Sequence, residues 1–542
     1  MATFFLQEFG VFIFDTIVVG AVFLLFLLLF KKAWIAGLIT GLLFYILSCV
    51  EYFKFSVSGS HFFAGDLAMT TKLGDMQQFA VIQPTAVMGL NLLLLLSCVA
   101  LFWLTGLGIR LNGIKRAAFS TMIVGGFGFV LFGQTFLASV CTVFGIQYDA
   151  APDSFSQNKL FQENNLIASF IVSANEQLNR EIVQPEGYSS EKVQSVMAPA
   201  GAGMPDFAMP NVLFIMSESY ADFRKYPSLQ IDPDTYDGFD RLAEEGYRGN
   251  ITVPTFGGYT VRSEFELTTG LPVRSLGNAQ IPIQLLDTSR ENPSFARIYQ
   301  NLGYTTSYIH PFSASFYGRE EVYSTYGFDN LIFEDGLTVP QNEFRGHTDD
   351  ATVYAQILDT MRSTTGRDYI FTTTLQNHEP YSGQSTSELD AYLEGIRLSD
   401  SELEDFINML RGFEEPTVVV FVGDHFPFFS PNDNVYEKLG VQSDNCAPVY
   451  QQSSLIWANY QLDYTAISNE QTSAFYLPHM VYRLIGAPEN AFVNTVLSIQ
   501  KQAPVYSPTF VTPVSEELDL LTYDLLFGDR YSDATLQDGP NR

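Results

Sequence analysis

NVLFIMSES, residues 211–219, is a run of apolar residues that ends in a glutamate, Glu218. A second run of the same kind, TVVVFVGDHF at residues 417–426, ends in Asp424 and His425. Short runs that are apolar throughout are typical of strands buried on both faces of a parallel sheet. Because open α/β sheets bind their ligands at the carboxyl ends of such strands, we expect these three polar side chains to meet at one edge.

A third stretch, PTFGGYTVRSEFELTTG at residues 254–270, places Gly257 and Gly258 just before Thr260. Glycine permits a tight turn, and SEFELTT predicts a helix that presents the Thr260 hydroxyl at its start. Backbone N–H groups at a helix start favour an anionic group such as a phosphate. The simpler alternative is a Gly-Gly turn in front of a threonine that caps the helix.

Glu218, Asp424 and His425 together form a mixed oxygen and nitrogen ligand set for a divalent cation. Thr260 would then act as the nucleophile or as a fourth ligand, because a cation lowers the pKa of a nearby hydroxyl. Each residue has a structural alternative: Glu218 as a carboxylate at a helix start, and Asp424-His425 as a turn after a strand. Their joint occurrence at strand ends favours the metal site.

Three further residues are candidates for binding the substrate. His378, in TLQNHEPY, follows a predicted strand and suits a phosphate ligand or a general acid, although a loop histidine often has neither role. Tyr317 and Arg319, in SFYGRE, follow another predicted strand. Arginine makes bidentate contacts with phosphate, but it is equally common on solvated surfaces. We interpret His347 and His479 as structural.

The net charge of −30 is unevenly distributed along the chain. Residues 1–150 have a balance of +1, whereas the remainder carries 22 basic and 53 acidic residues, a balance of −31. Such an acidic region argues against nucleic acid as a partner. Cys446 is the only cysteine after residue 150, so no disulfide within that region is possible. This fits either a reducing compartment or a large extracytoplasmic domain.

The N-terminal region predicts a membrane domain at residues 1–139. Four segments have about the length of a bilayer-spanning helix, roughly 20 apolar residues. They are residues 11–30, 33–53, 86–109 and 117–137. Asp15 opposes this interpretation unless it lies near the membrane surface or faces the other helices. The GGFG run at residues 125–128 predicts close helix packing.

Basic residues predict the orientation of these helices. Lys31 and Lys32 lie between the first two, and Arg110, Lys115 and Arg116 lie between the last two. The positive-inside rule places both loops in the cytoplasm. The acidic domain is therefore expected outside the cytoplasm, in a multi-pass protein of the cell membrane.

The rest of the chain predicts a linker with a helical segment at 140–209, an α/β domain at 210–535 and a short tail at 536–542. Small residues and prolines place the boundary near residue 205. Apolar runs alternating with helical patterns indicate a mostly parallel sheet with helices on both faces. Predicted strands are 211–216, 305–309, 369–374, 417–422 and 453–458; predicted helices are 293–302, 349–363, 401–412 and 472–485.

In their order, NVLFIMSES, GGYTVRSEFE, SFYGRE, QNHEPY and VGDH resemble the motifs of the lipoteichoic acid synthase and phosphoglycerol transferase family. That family is sulfatase-like and belongs to the alkaline phosphatase superfamily. The resemblance covers roughly residues 1–535, since YDLLFGDRYS at 523–532 also resembles the family's C-terminal end. It implies a polytopic membrane protein whose extracellular sulfatase-like α/β domain binds one divalent cation, Mn²⁺ or Mg²⁺ in preference to Zn²⁺.

The resemblance also implies a reaction. The threonine attacks the phosphodiester of phosphatidylglycerol, releases diacylglycerol and holds glycerophosphate covalently. A hydroxyl of an envelope acceptor then takes the glycerophosphate; this acceptor is a polyglycerophosphate chain, a glycolipid or a periplasmic glucan. Carried over by motif, the metal and nucleophile set is Glu218, Thr260, Asp424 and His425. By the same motifs, Arg319, His378 and Tyr317 hold the glycerophosphate.

The sequence departs from the family at two points. Gram-positive synthases typically have five membrane helices, and four are predicted here. The position of Tyr317 is often tryptophan. Alternatives to a phosphoglycerol transferase are a phosphoethanolamine transferase, a sulfatase or phosphodiesterase, and a non-catalytic ectodomain that binds polyglycerophosphate. Sulfatases need a cysteine or serine where this chain has Thr260, and phosphoethanolamine transferases generally carry several ectodomain disulfides.

Overall fold

The computed structural model describes residues 2–58, 61–67, 84–148, 154–180, 182–199, 209–381, 387–429, 433–442, 445–467, 471–508 and 514–532. The chain divides into two compact units, Met1–Glu181 and Ile182–Arg542. This division falls inside the segment 140–209 that the sequence assigns to a linker. The boundary expected near residue 205 and the tail at 536–542 lie outside the described residues.

The first unit consists of helices. They are α1 (Ala2–Phe30), α2 (Ala33–Ser58), α3 (Ala86–Thr105), α4 (Gly113–Phe132), α5 (Gln134–Phe144) and α6 (Ser154–Leu178). The first four are long and apolar enough to cross a membrane by length and composition, in agreement with the four predicted apolar helices. The predicted bounds of these helices were partly wrong, since α1 begins before residue 11 and α2 continues past residue 53. α3 stops before Gly106, which adopts a left-handed conformation. α4 begins earlier, where Asn112 caps it, and ends earlier, before Gly133.

The two basic loops of this unit pair with each other. The backbone N–H of Ile109 donates to the carbonyl of Lys31 at 3.1 Å, and that of Ala33 donates to Leu107 at 3.0 Å. Arg116 also donates from Nη1 to the carbonyl of Leu28 at 3.0 Å. The loops that carry the lysines and arginines therefore lie at the same end of the helices.

Asp15 is half-buried on α1. Its neighbours Val11, Phe14 and Val18 pack in one apolar cluster with residues of α5 and α6. Because Asp15 lies one helical turn from Val11 and from Val18, it shares the face of α1 that is turned toward the other helices. Its Oδ1 has no hydrogen-bond partner among the described residues.

The predicted packing role of the GGFG run was wrong. A Cβ atom added at Gly125, Gly126 or Gly128 would meet no described atom within 4 Å. The close approach occurs instead at Gly41, where an added Cβ would lie 2.1 Å from a side-chain carbon of Leu95. The contact between α2 and α3 therefore depends on this glycine.

The second unit is built on an eight-stranded sheet and a two-stranded ribbon. Its strands are β1 (Asn211–Ser217), β2 (Tyr247–Thr252), β3 (Thr305–Ile309), β4 (Asn330–Ile332), β5 (Glu343–Phe344), β6 (His347–Thr348), β7 (Asp368–Thr373), β8 (Thr417–Gly423), β9 (Gln451–Ala458) and β10 (Thr472–Ser473). The sheet order is β10-β2-β9-β8-β1-β7-β3-β4, and β5 pairs with β6. Within the large sheet β9 is antiparallel to both of its neighbours and the other pairs are parallel, which confirms the mostly parallel sheet.

Helices complete the second unit. They are α7 (Ser190–Val196), α8 (Asp237–Glu245), α9 (Thr260–Thr269), α10 (Phe295–Asn301), α11 (Arg319–Tyr323), α12 (Asp350–Ser363), α13 (Glu388–Leu410), α14 (Val435–Lys438), α15 (Leu477–Leu484), α16 (Ala491–Gln500) and α17 (Glu516–Leu526). α13 starts well before the predicted residue 401, because Ser387 caps it by accepting a hydrogen bond from the N–H of Asp390. The helix predicted from residue 472 starts only at Leu477, since β10 pairs with β2.

The register of the central strands positions the site. β1 lies between β7 and β8 and is hydrogen-bonded to both. Seven aligned residue pairs join β1 to β8, and the last of them is Ser217 with Gly423. The next residue of each strand is an acid, Glu218 or Asp424. Both carboxylates therefore leave the sheet at the same level and on the same edge.

Candidate active site

Asp424 is fully buried and its two carboxylate oxygens have different surroundings. Oδ1 accepts hydrogen bonds from the backbone N–H of Ser219 at 2.7 Å and from its own neighbour His425 at 2.8 Å. Ser219 reaches it because its backbone turns sharply, with φ at 52°. Oδ2 accepts no hydrogen bond from the described part of the chain and lies 3.1 Å from Nε2 of His425.

His425 is held in one tautomer by the backbone. Its Nδ1 lies 3.0 Å from the carbonyl of Phe426, and since a carbonyl only accepts, Nδ1 carries the proton. In the neutral ring Nε2 then presents a lone pair, which faces Oδ2 of Asp424. Two acceptor atoms at 3.1 Å repel each other unless a cation or a proton lies between them. This arrangement is the usual one for a histidine that binds a metal.

Glu218 completes a group of three candidate ligands. Its Oε1 accepts a hydrogen bond from the Ser219 hydroxyl at 2.8 Å and lies 3.8 Å from Nε2 of His425. One ligand atom from each of Glu218, Asp424 and His425 lies within 4.8 Å of the others. Burial, and then repulsion from Asp424, raise the pKa of Glu218 to about 7. A divalent cation fits this donor set, because it would offset both the burial and the repulsion.

Thr260 lies beside these three residues. Its Oγ1 is 3.4 Å from Oε2 of Glu218 and 3.4 Å from Nε2 of His425. Thr260 is the first residue of α9, and Tyr259 occupies the cap position with φ at 56° and no capping side-chain bond. The simpler alternative, in which Thr260 only caps the helix, was therefore wrong. The two glycines before it do form the expected turn, in which Gly257 has φ at 65°.

Arg319 is buried, with only 2% of its side chain exposed. Its Nε donates to Oε2 of Glu264 at 2.9 Å, while Nη1 has no hydrogen-bond partner among the described residues. The Tyr317 ring lies 5.1 Å from the guanidinium carbon, at a distance that suits a cation–π contact. Tyr317 itself is half-buried and has φ at 58°.

His378 follows β7, on the same edge of the sheet as the candidate ligands. Its Nδ1 donates to the carbonyl of Glu379 at 2.8 Å. Burial opposes protonation of this ring, but the carboxylates of Glu379, Glu218 and Asp424 outweigh burial and raise the pKa of His378. A histidine that is protonated more readily than usual suits contact with a phosphate.

His347 and His479 have different surroundings. The ring centroid of His347 lies 5.5 Å from that of His378, whereas Nε2 of His479 donates to the carbonyl of Gly270 at 3.0 Å, at the end of α9. His479 therefore has a structural contact, and the interpretation of His347 as structural stays a prediction.

The sequence did not point to two residues that support the site. Ser219 contacts both Glu218 and Asp424, and Glu264 binds Arg319. For Glu264 a signal was available, because it lies four residues after Thr260 and therefore on the same face of the predicted helix. Its partners come from distant parts of the chain, so the spacing alone did not identify them.

The profile of the sulfatase family matches residues 210–487, just over half of the chain. The chain belongs to the sulfatase family. The resemblance to lipoteichoic acid synthases and phosphoglycerol transferases is likewise confirmed by its relatives.

Among curated proteins, the chain is 25% identical over 336 residues to a putative cyclic beta-1,2-glucan modification protein of Rhizobium meliloti, covering 57% of this chain and 50% of that one. It is 27% identical over 250 residues to a lipoteichoic acid synthase of Staphylococcus saprophyticus, covering 42% and 38%. This sulfatase-family chain thus spans half or less of the length of these relatives.

Two solved structures share the fold. The phosphoglycerol transferase GacH of Streptococcus pyogenes, in complex with sn-glycerol-1-phosphate, superposes with a TM-score of 0.53 at 20% identity, over 66% of this chain and 99% of that one. The lipooligosaccharide phosphoethanolamine transferase EptA of Neisseria meningitidis, an integral membrane protein, gives 0.51 at 11% identity, over 83% and 84%. The second match extends beyond the sulfatase-like unit, in line with a membrane protein that carries such a domain.

Proposed function

We propose that this protein is a divalent-cation-dependent phosphoglycerol transferase that takes glycerophosphate from phosphatidylglycerol. The observation that carries the proposal is the position of the Thr260 hydroxyl, 3.4 Å from both Glu218 and His425. A hydroxyl beside a buried set of cation ligands is the arrangement needed to activate a threonine. A protein that only binds polyglycerophosphate has no use for such a nucleophile.

Thr260 carries the glycerophosphate between donor and acceptor. The Thr260 hydroxyl gives its proton to solvent as its Oγ1 forms a bond to the phosphorus of phosphatidylglycerol, and the bond from phosphorus to the diacylglycerol oxygen breaks. Diacylglycerol leaves with a proton, for which His378 is the candidate donor. A hydroxyl of the acceptor then attacks the same phosphorus and gives its proton to His378, and the released Thr260 oxygen takes a proton from solvent. One phosphodiester is exchanged for another, so no nucleotide is consumed.

Glu218, Asp424 and His425 would hold the cation, with the Thr260 hydroxyl beside them. Two carboxylates, a hydroxyl and one imidazole favour Mn²⁺ or Mg²⁺ over Zn²⁺, which prefers softer ligands. When bound, the cation lowers the pKa of the hydroxyl and neutralises charge on a phosphoryl oxygen. Arg319, His378 and Tyr317 would hold the glycerophosphate.

The membrane unit supports a location at the cell membrane. The two basic loops lie at one end of the helices, and the positive-inside rule assigns that end to the cytoplasm. We therefore place the catalytic unit outside the cytoplasm, where phosphatidylglycerol and envelope glycans meet. The acceptor is an envelope molecule with a free hydroxyl; one relative is named for modification of a cyclic beta-1,2-glucan and another for synthesis of lipoteichoic acid.

A phosphoethanolamine transferase is the alternative, because the fold of EptA covers most of this chain. The cysteine content of the second unit, which consists of Cys446 alone, argues against this alternative. The side chain of Cys446 is buried. The stabilising disulfides expected of an ectodomain of that class are therefore impossible here.

A lipid-cleavage assay tests the proposal. The purified full-length protein is incubated with Mn²⁺ and vesicles that contain phosphatidylglycerol or phosphatidylethanolamine. We expect diacylglycerol from phosphatidylglycerol, and a Thr260 peptide heavier by one glycerophosphate in mass spectra. Thr260→Ala should lower the rate of diacylglycerol release by about a thousandfold or more, because the nucleophile is removed. It should leave Tm unchanged. Cleavage of phosphatidylethanolamine alone would establish the alternative, and full turnover by Thr260→Ala would exclude the covalent route.

A further inference from the structure

We propose that Glu264 is a positioning residue that holds Arg319 in the orientation needed to bind the phosphate of the donor lipid. This inference rests on the proposed function. It assigns a role to a buried carboxylate that belongs neither to the cation ligands nor to the substrate contacts named above. It also explains why Arg319, a buried cation, presents an unpaired nitrogen.

Glu264 has both carboxylate oxygens engaged, and none of its surface is exposed. Oε1 accepts hydrogen bonds from the hydroxyl of Tyr308 at 2.5 Å and from that of Thr373 at 2.7 Å. Oε2 accepts from Nε of Arg319 at 2.9 Å. Tyr308 and Thr373 belong to the adjacent strands β3 and β7. The sheet therefore holds the carboxylate in place independently of its contact with Arg319.

The guanidinium of Arg319 is consequently bound along one edge only. Its Nε is taken by Glu264, and its face is covered by the ring of Tyr317, 5.1 Å away. Nη1 is buried and has no hydrogen-bond partner in the described residues. A buried donor without an acceptor is unfavourable, so this nitrogen is suited to a ligand that supplies the acceptor.

A phosphate is the acceptor that the location indicates. Glu264 and Thr260 lie four residues apart on α9, which is about 6 Å along the helix axis, and they share one face of it. Arg319 is therefore held one helical turn from the proposed nucleophile. A phosphodiester oxygen attached to the phosphorus that Thr260 attacks would come within reach of the free edge of the guanidinium.

The competing explanation is that Glu264 and Arg319 form an ion pair that only stabilises the fold. Buried pairs of this kind are common, and breaking one lowers stability. The two explanations differ in what they predict for ligand binding. A structural pair affects folding and leaves the affinity for phosphate unchanged in the folded fraction, whereas a positioning residue affects that affinity directly.

Glu264→Gln tests the difference, because glutamine keeps the shape and an acceptor oxygen but removes the charge. Affinity for sn-glycerol-1-phosphate is measured on the full-length protein with Mn²⁺, together with KM and kcat on phosphatidylglycerol. We expect the affinity to fall at least tenfold and KM to rise by a similar factor. Glu266→Gln is the matched control, since Glu266 is equally buried on the same helix and bonds to the backbone of Val273. It should leave both values unchanged.

Chemical rescue provides a second readout that does not depend on the stability of Glu264→Gln. Arg319→Ala should regain part of its activity when ethylguanidinium is added, because Glu264 still binds the guanidinium in place. The double variant with Glu264→Gln should not be rescued. Equal rescue of both variants, or no rescue of Arg319→Ala, would overturn the inference, and so would unchanged sn-glycerol-1-phosphate affinity in Glu264→Gln. If the wild-type protein binds sn-glycerol-1-phosphate but does not cleave phosphatidylglycerol, the proposed function is wrong. The role of Glu264 is then still tested by comparing the sn-glycerol-1-phosphate affinity of the wild type with that of Glu264→Gln.

Discussion

Asp424 combines a contact that joins two strand ends with a proposed role as a cation ligand. Oδ1 joins the end of β1 to the end of β8 through the N–H groups of Ser219 and His425. Oδ2 remains for a cation, opposite the lone pair of His425. The repulsion between these two atoms is a property of the cation-free protein, and it should be measurable.

Asp424→Asn is expected to raise Tm of the cation-free protein and to remove its response to Mn²⁺. The amide can donate from Nδ2 to Nε2 of His425, which replaces the repulsion with a hydrogen bond, while one ligand and its charge are lost. We expect the Mn²⁺ affinity to fall by about a hundredfold or more, as loss of a direct ligand exceeds the tenfold to hundredfold effects of outer contacts. Calorimetric titration and thermal unfolding measure the two effects.

Asp405→Asn provides the comparison, because Asp405 lies on the exposed side of α13. It should alter neither the Mn²⁺ affinity nor Tm. An Asp424→Asn protein that binds Mn²⁺ as tightly as the wild type would remove Asp424 from the proposed ligand set.

α9 is the element on which the nucleophile depends, and its two ends are fixed in different ways. At its start, the turn of Gly257 and Gly258 leads into Tyr259 and then into Thr260. At its end, Gly270 adopts φ at 68° and its carbonyl accepts a hydrogen bond from His479. Nine residues of the helix, all except Thr260, are buried. Substitutions in α9 should therefore lower the stability of the protein as well as its activity.

Gly270→Ala is expected to destabilise the protein strongly. A Cβ there would lie 2.4 Å from Nε2 of His479 and 2.7 Å from a ring carbon of Phe295, and the left-handed backbone conformation adds strain. Overpacking and strain of this kind amount to about 2–5 kcal/mol together. Thermal unfolding should show a loss of several degrees, whereas Gly366→Ala, where an added Cβ meets no atom within 4 Å, should show almost none.

Glu266 predicts a pH dependence of stability. Burial raises its pKa to about 8 despite the hydrogen bond from Val273. Since the usual pKa is about 4.3 in the unfolded chain, the folded protein binds the extra proton more tightly. Its contribution to stability is therefore complete below pH 4 and is lost as the pH rises through 8. Glu266→Gln removes this loss.

We expect Glu266→Gln to raise Tm at pH 8.5 by several degrees and to change it little at pH 5. Differential scanning calorimetry at the two pH values makes the comparison. A Tm difference that is the same at both pH values would mean that Glu266 is not protonated in the folded state.

Apolar runs were sufficient to predict the two strands that lead into the proposed cation ligands. β1 and β8 were predicted as buried strands because residues 212–216 and 418–422 are all apolar. The acids that follow these strands, Glu218 and Asp424, pointed to the site. β2 was missed because it alternates, with Arg248 and Asn250 exposed between buried neighbours. Glu264 was missed for another reason. Its contacts are with residues of β3 and β7, and the local sequence does not predict which strands become neighbours in the sheet.

At the scale of the whole molecule, the strongest feature is the separation of charge. The first 150 residues are nearly balanced, and the remainder has an excess of 31 negative charges. Fields of this sign repel polyanions over about 8 Å at physiological ionic strength. This bears on which acceptor the enzyme takes.

We expect an uncharged β-glucan oligosaccharide to be a better acceptor than a polyglycerophosphate chain. Successive phosphates of such a chain would approach an acidic domain, whereas a neutral glycan would not. Transfer of glycerophosphate from labelled phosphatidylglycerol to each acceptor is measured at about 20 mM and about 300 mM salt, where charges are weakly and strongly screened, respectively. The ratio of the transfer rate to the glucan over that to polyglycerophosphate should fall severalfold at high salt. A polyglycerophosphate acceptor that is preferred at low salt would contradict this expectation.

Four adjacent strands of the sheet lead into the candidate site. β8 and β1 are followed by the proposed cation ligands, whereas β7 and β3 are followed by the segments that carry His378, Tyr317 and Arg319. Under the proposed function, the cation ligands and the contacts with the lipid headgroup therefore lie on separate segments of the chain. We expect a chimaera that carries residues 310–323 of a relative to prefer that relative's lipid headgroup. It would keep Thr260 and the proposed cation ligands of this chain unchanged.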